Sequence, residues 1–381
     1  MRTVSRPWQL PIKAGRGCPQ RAESDVFQPR RTARRDGLAL PGFMGRLHGA
    51  GAGGFPADTR PRLTVSGLEP NSDPAMRIYD LVMTHQLDAD DFFIHRVQQH
   101  CAERGLNFFL IEPLWAEAFF EKLSRSKVGA RVLINMHSEH HQPEDLYHRL
   151  VNLAFEPKIQ VIDPPDVAQG AFDKARLHPR LVAAGFDLPF TVIVPGQPVD
   201  SFAVTEADFG KLGSPFVIKP GMGYGKRGVI LNATGLEDIV RSQRDWPDAH
   251  FLLQQRIVPR TLEGRPAYFR VFYVFGSLWF SWWNCFTDRY AWLTDQEMRN
   301  HGLQPLREIV CRLADLTQMN FFSTEIALTD EGRFVLIDYV NDQCHMLTQS
   351  ANPNIGVPDE IVAGIARRLV EEAQQLIRGS A

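Results

Sequence analysis

From Met76 onwards the chain alternates between short apolar runs, typical of strands, and longer stretches in which apolar residues have helical spacing. The first four apolar runs predict strands at residues 77–83, 107–111, 131–135 and 159–163. Helical patterns at 90–104 and 113–126 lie between the first three runs. Strands that alternate with helices indicate a parallel sheet, so this part of the chain is predicted to be an α/β domain.

A second block of predicted elements begins near Phe172, and a third begins near Ala267. The second block is predicted to contain a helix and four strands, at 174–184, 191–195, 216–220, 228–231 and 251–255. The third is predicted to contain four strands and two helices, at 268–275, 278–284, 322–328, 334–340, 296–317 and 358–378. The segment 329–333 between its last two strands suits a hairpin, so we expect those strands to pair.

Residues 1–75 lack this regularity. They contain 12 Arg and Lys residues against 6 Asp and Glu residues, and Gly and Pro recur without a period. Such a segment buries too little apolar surface to offset the entropy of ordering, so a disordered basic tail is predicted. A basic arm for an acidic partner is an alternative interpretation. The segment has no apolar run of the kind that a secretory signal requires.

Composition excludes several classes of protein. The 381 residues carry a net charge of −2, so no global charge points to nucleic acid or to a membrane surface. The sequence has no apolar run of about 18 residues, so no transmembrane helix is predicted. Its 5 cysteines are scattered without a CxxC pair, which favours reduced thiols and a cytoplasmic protein.

A glycine-rich loop follows the predicted strand 216–220. Lys219 is the fourth residue of that strand, and the loop 221–228 contains four glycines, Lys226 and Arg227 but no acidic residue. Glycines let backbone N–H groups approach phosphate oxygens, and lysine supplies a positive charge. The loop is not a Walker loop, because no GxxxxGK[ST] precedes a helix. The sequence therefore indicates either a phosphate-binding loop or an ordinary hairpin turn.

Acidic and amide side chains on the last two predicted strands favour the first interpretation. Glu325 lies on one strand, and Asp338 and Asn341 lie on the next. Carboxylates in apolar strands are costly unless they are paired or bind a ligand, and Mg²⁺ takes few protein ligands, all of them oxygen atoms. Asp338 capping a turn at the strand end is the alternative. Arg270 interrupts the strand 268–275 and could bind a phosphate or a substrate carboxylate, or pair with Glu325 or Asp338.

Two other groups of residues attract attention. Residues 137–141, with sequence HSEHH, could form a metal cluster on a helix, but they are expected in a loop, where contact with a substrate is the alternative. Cys344 and His345 could form a nucleophilic pair, although adjacent residues of an extended chain point apart.

The order of these motifs resembles the ATP-grasp superfamily, from about Asp163 to Ser350. The matching segments are 173–174, 216–228, 253–257, 269–271 and the two acidic strands. The resemblance implies an α/β and α+β protein in which two subdomains clamp ATP. It implies four regions: a tail at 1–75, an N-terminal α/β domain at 76–171, a central subdomain with the glycine-rich flap at 172–262, and a C-terminal subdomain with the acidic strands at 263–381.

The resemblance also implies roles for individual residues. The residues expected at the phosphates of ATP are Lys174, Lys219, Gly223, Gly225 and Lys226. Gln255 and Ile257 are expected at the adenine, mostly through backbone groups. Glu325, Asp338 and Asn341 are expected to hold Mg²⁺, and Arg270 to stabilise charge on an acyl phosphate.

One departure concerns the last strand, where the superfamily usually has acid-x-Asn. Tyr339 occupies the acid position here, and Asp338 precedes it by one residue. Either a bulge brings Asp338 into the site, or Asp342 replaces it, or one metal ion is lost.

Most members of the superfamily are carboxylate ligases. The predicted function is therefore an ATP- and Mg²⁺-dependent ligase that joins a small-molecule carboxylate to an amine, such as an amino acid or small peptide, through an acyl phosphate. A small-molecule kinase and a non-catalytic ATP-binding protein are the alternatives. A homodimer is also expected from the resemblance, whereas nucleic acid and membranes are not expected as partners.

Overall fold

A computed structural model describes residues 76–85, 90–137, 142–155, 159–196, 204–223 and 225–379. Its first sheet has the strand order β2-β1-β3-β4, and all neighbouring strands are parallel. The elements of this part are β1 (Arg77–Thr84), α1 (Asp91–Glu103), β2 (Phe108–Ile111), α2 (Pro113–Ser124), β3 (Val128–Asn135), α3 (Leu146–Phe155), β4 (Gln160–Ile162) and α4 (Pro165–Phe172). The predicted parallel sheet, with helices between its strands, is confirmed.

The second sheet is antiparallel, with the order β5-β8-β6-β7. Its elements are α5 (Lys174–Ala183), β5 (Thr191–Pro195), α6 (Glu206–Leu212), β6 (Phe216–Pro220), β7 (Ile230–Ala233), α7 (Leu236–Asp245) and β8 (His250–Gln254). The glycine-rich loop connects β6 to its antiparallel neighbour β7, as the hairpin prediction requires.

The third sheet is also antiparallel, with the order β13-β12-β11-β14-β15. A small hairpin, β9 (Thr261–Leu262) and β10 (Arg265–Pro266), precedes it. The other elements are β11 (Tyr268–Val274), β12 (Ser277–Asn284), β13 (Arg289–Trp292), α8 (Asp295–Asn300), α9 (Pro305–Thr317), β14 (Phe321–Leu328), β15 (Phe334–Asn341) and α10 (Asp359–Gly379).

The helix predicted at 296–317 is two helices, because the chain turns between them. Gly302 has a φ of +64°, and Pro305 begins α9. Four helices were not predicted, namely α3, α4, α6 and α7. The start of α6 carries a local signal that identifies it, since Thr205 and Asp208 form a reciprocal capping box.

The first and third sheets share one hydrophobic core. Leu81 and Ile134 of the first sheet belong to the same buried cluster as Phe272 and Phe321 of the third. One face of α10 completes this cluster, with Ile361, Ile365, Leu369 and Ala373 all buried. The spacing of these residues places them along one side of the helix, which is why α10 can pack against α1 and the sheet.

A buried carboxylate joins the same two parts of the chain. Asp163, just after β4, accepts hydrogen bonds from the backbone and side-chain nitrogens of Asn320 and from the backbone N–H of Phe321, each at 2.8 Å. Burial raises the pKa of Asp163 to about 7, and the negative charge of Asp342 adds to the rise. This contact fixes the carboxyl end of β4 against the start of β14.

Three sequence predictions concern other parts of the chain. The predicted tail, 1–75, lies outside the described residues. Among the helices that the structure describes, none is both long and apolar enough to cross a membrane. Cys101, Cys285 and Cys344 are free thiols, which agrees with the prediction of reduced thiols at these three positions.

Candidate active site

Five charged side chains meet where the second and third sheets face each other. Three are basic and come from α5, β6 and β11: Lys174, Lys219 and Arg270. Two are acidic and lie on the paired strands β14 and β15: Glu325 and Asp338, which are cross-strand partners. All five were predicted site residues, and the structure brings them together within one electrostatically coupled group.

Two irregularities in β15 explain why Asp338 belongs to this group. Near the hairpin, Ile326 pairs with Leu336, but Glu325 then pairs with Asp338 and Ser323 with Asn341. Between each of these pairs and the next, β15 has one residue more than β14, and such an extra residue is a β-bulge. The first bulge turns Asp338 towards Glu325. Of the three alternatives for the departure at Tyr339, the geometry matches the bulge.

Tyr339 consequently faces the other side of β15. Both Tyr339 and the next residue, Val340, are buried in the cluster formed with α5, α9 and β11. The Tyr339 hydroxyl lies 2.6 Å from Nδ1 of His178 and accepts a hydrogen bond from Nε2 of Gln254 at 2.9 Å. Burial lowers the pKa of His178, which favours its neutral form. The hydroxyl can then donate to Nδ1, which places the imidazole proton on Nε2.

The two lysines approach β15 from the second sheet and from α5. Nζ of Lys219 donates to the carbonyl oxygen of Ile337 at 3.0 Å, at the first bulge. Nζ of Lys174 lies 3.7 Å from Oδ1 of Asp338 and donates to the carbonyl of Gly223 at 3.4 Å. Burial lowers the pKa of Lys219, and the charges of Asp338 and Glu325 oppose that shift. The lysines thus tie the flap and the second sheet to β15.

Arg270 is held in place by β14. Its Nη1 lies 3.3 Å from Oε1 of Glu325, and its Nε donates to Oγ of Ser323 at 3.1 Å. The hydroxyl of Tyr268 donates to the other oxygen of Glu325 at 3.0 Å. Tyr268 and Ser323 were not predicted, although each lies two residues before a predicted site residue on the same strand. A two-residue spacing in a strand places side chains on one face, and this signal could have identified both.

The two carboxylates have opposite pKa shifts. Burial raises the pKa of Glu325, and the negative charge of Asp338 adds to this rise against the opposing charge of Arg270. Burial also opposes ionisation of Asp338, but the charges of Lys174 and Lys219 hold its pKa below the ordinary value. Asp338 is therefore the ionised member of the pair in the pH range where Glu325 begins to take up a proton.

Oδ1 of Asp338 lies 3.7 Å from Nζ of Lys174, which is an ion pair but too long for a hydrogen bond. It is buried and has no hydrogen-bond partner in the part of the chain that the structure describes. Asn341 lies beside it and donates a weak hydrogen bond to the carbonyl of Ser323 at 3.4 Å. No group of three or more His, Cys, Asp and Glu residues suited to a metal ion occurs among the described residues. Two carboxylates and an amide oxygen remain a sufficient set for Mg²⁺, which keeps several water ligands.

The glycine-rich flap is anchored at both ends. The backbone N–H of Met222 donates to Oδ2 of Asp248 at 2.7 Å. At the other end Gly228 has a φ of +68°, and a Cβ there would lie 2.6 Å from Cβ of Trp246, so only glycine fits. Gly223 and Gly225 lie between these anchors, and Tyr224 is outside the described residues. Backbone N–H groups of this hairpin are the groups that could bind phosphate oxygens.

Lys226 is not part of the charged cluster. Its exposed side chain forms an ion pair with Asp288, in the turn between β12 and β13. Its Nζ also lies 5.9 Å from the ring centroid of Trp283, and the guanidinium of Arg270 lies 5.5 Å from the same ring. The predicted phosphate ligand therefore connects the flap to the third sheet in this structure.

The predicted adenine residues follow β8. The backbone N–H of Gln255 already donates to the carbonyl of Phe190 at 2.8 Å, and the Gln255 side chain is exposed. Ile257 is half-buried against the core that the first and third sheets share. The side chain that points inward here is that of Gln254, which holds Tyr339. Sequence reasoning missed Gln254 because nothing local distinguishes it from Gln255.

The histidine-rich segment and the pair of Cys344 and His345 do not form catalytic groups in the described residues. Residues 138–141 of the histidine-rich segment lie outside them, and the ring of His137 packs edge-on against Tyr147 at 5.0 Å. Cys344 is buried, and burial raises the pKa of its thiol to about 12, so it is a poor nucleophile.

Comparison with known proteins identifies the fold. No family model matches the chain, and no curated protein matches it in sequence. Solved structures do match. D-cycloserine synthetase DcsG has a TM-score of 0.55 and 15% identity, and the match covers 78% of this chain and 99% of that one. D-alanine–D-alanine ligase from Bacillus anthracis complexed with ATP has a TM-score of 0.53 and 14% identity. That match covers 81% of this chain and 100% of the ligase chain.

A third match is the ATP-grasp ligase PsnB, complexed with its minimal precursor, Mg and ADP. Its TM-score is 0.51 at 12% identity, with 78% of this chain and 98% of that chain covered. Identities this low establish architecture rather than chemistry. The chain has the ATP-grasp fold.

Proposed function

We propose that this protein is an ATP- and Mg²⁺-dependent ligase that joins a carboxylate to an amine through an acyl phosphate. The observation that carries the proposal is the cluster of three cations and two carboxylates in an ATP-grasp fold, in which the buried Oδ1 of Asp338 accepts no hydrogen bond from the described residues. Ligase names among the structural neighbours, one with bound ATP and one with Mg and ADP, support it.

The basic residues would position the phosphates of ATP. Lys174 and Lys219 approach from α5 and β6, while the flap residues Gly223 and Gly225 would offer backbone N–H groups from above. A charge pair separated by about 4 Å at an effective dielectric constant of about 20 is worth about 4 kcal/mol. Lys226 would close the flap through Asp288. Backbone groups of 255–257 would face the adenine.

Mg²⁺ would be held by Glu325, Asp338 and Asn341. The buried Oδ1 of Asp338, which accepts no hydrogen bond from the described residues, and the cross-strand pairing with Glu325 fit an oxygen-liganded cation. When bound, Mg²⁺ would neutralise charge on the phosphates.

Arg270 is the proposed catalytic residue. In the proposed reaction a carboxylate oxygen attacks the γ-phosphorus of ATP and ADP leaves. The amine nitrogen then attacks the acyl carbon, inorganic phosphate leaves, and the nitrogen loses a proton. Arg270, fixed by Glu325 and Ser323, would stabilise negative charge on the acyl phosphate. The protein supplies position and charge rather than a covalent nucleophile.

The test uses hydroxylamine in place of the unidentified amine. The full chain is incubated with ATP, Mg²⁺, excess hydroxylamine and one carboxylic acid at a time, and ADP, phosphate and hydroxamate are measured. A ligase releases all three in equal amounts, because hydroxylamine captures the acyl phosphate. A phosphorylated acceptor without free phosphate would identify a kinase instead. ATP binding without ADP release from any acid would leave only the non-catalytic interpretation.

The domain boundaries remain part of this proposal. The three larger sheets lie within the regions 76–171, 172–262 and 263–381, respectively, while the hairpin of β9 and β10 spans the boundary after residue 262. The α/β region would contribute the substrate crevice, and the other two regions would bind ATP. A homodimer and a cytoplasmic location remain predictions.

A further inference from the structure

The hairpin formed by β12 and β13 is the part of the third sheet that the glycine-rich flap contacts through Lys226. The exposed Lys226 forms an ion pair with Asp288, in the turn of this hairpin. Its Nζ also lies 5.9 Å from the ring centroid of Trp283, on β12. Such a separation is within the range of a cation–π contact. One flap side chain therefore contacts the hairpin at two points.

The same hairpin supports Arg270. The guanidinium of Arg270 lies 5.5 Å from the ring centroid of Trp283. Tyr290, on β13, is the cross-strand partner of Trp283, and the centroids of the two rings are 4.4 Å apart. Burial raises the pKa of Tyr290 to about 12 against the charge of Arg270, and the Tyr290 hydroxyl shares a hydrogen bond with Arg270. Two adjoining aromatic side chains of the hairpin therefore contact the guanidinium.

Trp283 is thus in contact with a flap cation and with the proposed catalytic cation. The indole is buried, whereas the side chain of Lys226 is exposed and that of Arg270 is 13% exposed. A cation–π contact strengthens when the cation is desolvated, so the contact with Arg270 is the stronger of the two. A displacement of the indole would affect the placement of both cations.

Trp282 provides an internal comparison. It precedes Trp283 on β12, so its side chain points to the opposite face of the sheet. Trp282 is also buried, lies 5.3 Å from the guanidinium of Arg265, and donates from Nε1 to Glu297 at 3.3 Å. Both residues are buried indoles beside an arginine. They differ in which arginine they contact, because Arg265 is not part of the charged cluster.

We propose that Trp283 is a positioning residue that couples the placement of the flap to the placement of Arg270. With Lys226 held against the indole and Asp288, the indole is held against the guanidinium of Arg270. Arg270 then stays where negative charge on the acyl phosphate develops. The inference rests on the proposed ligase function and adds a form of regulation to the same site. A group misplaced by about 1 Å can lower a rate by about 100-fold, so a small displacement is sufficient.

Replacement of Trp283 tests the positioning role in the full chain. The assay contains ATP, Mg²⁺, hydroxylamine and one acid at a time from the twenty L-amino acids, acetate and succinate. ADP release gives the rate, and hydroxamate reports ligation. We expect Trp283→Leu to lower kcat at least about 30-fold with KM for ATP within about threefold, because the indole acts on Arg270 rather than on nucleotide binding.

Two further variants separate positioning from packing. Trp283→Phe keeps an aromatic face for the cation and should restore kcat to within about fivefold of the wild-type value. Trp282→Leu is the matched control and should keep kcat within about threefold, because its loss leaves Arg270 in place. A Phe variant as slow as the Leu variant would overturn the positioning role. Equal losses of kcat in Trp282→Leu and Trp283→Leu would overturn it as well.

Lys226→Met tests the coupling to the flap, since methionine removes the charge and keeps an unbranched side chain. We expect this substitution to lower kcat at least about fivefold in the wild-type chain and in the Trp282→Leu background. In the Trp283→Leu background it should lower kcat less than about twofold, because the indole through which Lys226 acts is absent. The same factor in all three backgrounds would overturn the coupling.

Failure of this inference is distinguishable from failure of the proposed function. ADP release without hydroxamate would remove the ligase function, but the effects of the variants on kcat would still be measured. No ADP release with any of the acids would overturn both. If Trp283→Leu does not fold, Lys226→Met in the wild-type chain decides, and an unchanged kcat in that variant would overturn the inference.

Discussion

Replacing Tyr339 with Phe tests the bulged register of β15. The Tyr339 side chain is 1% exposed, and its hydroxyl is shared by His178, 8% exposed, and Gln254, 2% exposed. Phenylalanine keeps the ring in the core and removes only the hydroxyl. The hydrogen bonds of the Tyr339 hydroxyl hold Tyr339 on one face of β15, which leaves Asp338 on the face of the site. We therefore expect these hydrogen bonds to contribute measurably to the free energy of unfolding.

The magnitude follows from the partners that are left behind. Gln254 keeps a hydrogen bond to Thr191 at 3.2 Å, but Nδ1 of His178 loses its contact with Tyr339 in a water-poor environment. A lost hydrogen bond costs about 1 kcal/mol, and a buried polar atom without a partner costs about 1–3 kcal/mol. We expect Tyr339→Phe to lower the free energy of unfolding by about 2–3 kcal/mol.

Urea unfolding followed by tryptophan fluorescence provides the assay. With a slope of about 2–3 kcal/mol per molar urea, the midpoint should fall by about 1 M at unchanged slope. Tyr147→Phe is the matched control, because Tyr147 is 4% exposed and its hydroxyl makes only long contacts, 3.4 and 3.5 Å, with two carbonyl oxygens. Its midpoint should fall by less than about 0.4 M. Equal losses in the two variants would refute the anchoring role of Tyr339.

Three further predictions address the charges. Lys219→Ala should weaken ATP binding at least about 100-fold in calorimetry, because it removes a buried cation from the cluster. Lys226→Ala is the control and should weaken ATP binding less than about 10-fold. Equal effects of the two variants would contradict the assignment. Glu325→Ala should reduce turnover far more than ATP affinity, with Glu331→Ala on the exposed turn as the control, and unchanged turnover would exclude Glu325 from the metal site. Burial raises the pKa of Asp163 to about 7, so the folded chain keeps a proton on this carboxyl that the unfolded chain releases above about pH 4. The free energy of unfolding should therefore fall by up to about 4 kcal/mol between about pH 4 and pH 7. Asp163→Asn should flatten this pH dependence, measured by urea unfolding at several pH values.

Local patterns were sufficient to predict most of the strands. The apolar run 216–220 matches β6 at both ends, and 191–195 matches β5. Lys219 and Glu325 were recognisable as candidate site residues because a charged side chain inside an apolar strand needs a partner or a ligand. The short helices α6 and α7 escaped prediction because each buries only one apolar side chain, Leu212 in α6 and Ile239 in α7.

The register of β15 could not be predicted from local patterns. Alternation places Asp338 and Tyr339 on opposite faces of a strand, but it does not say which face is which. The structure decides this through His178, which is 161 residues away in the sequence, and through Lys219 at the carbonyl of Ile337.

The two bulges of β15 also determine how such proteins can be compared. In a sequence alignment Tyr339 would stand in the column where ATP-grasp proteins usually have an acid, and Asp338 would stand in the column before it. A comparison by columns would therefore record a lost acid at Tyr339. In space the equivalent position is defined by the partner residue across the sheet, which is Glu325. A second extra residue then restores the phase, so that Asn341 lies opposite Ser323. A one-residue displacement along the chain can therefore leave the two acids opposite each other across the sheet.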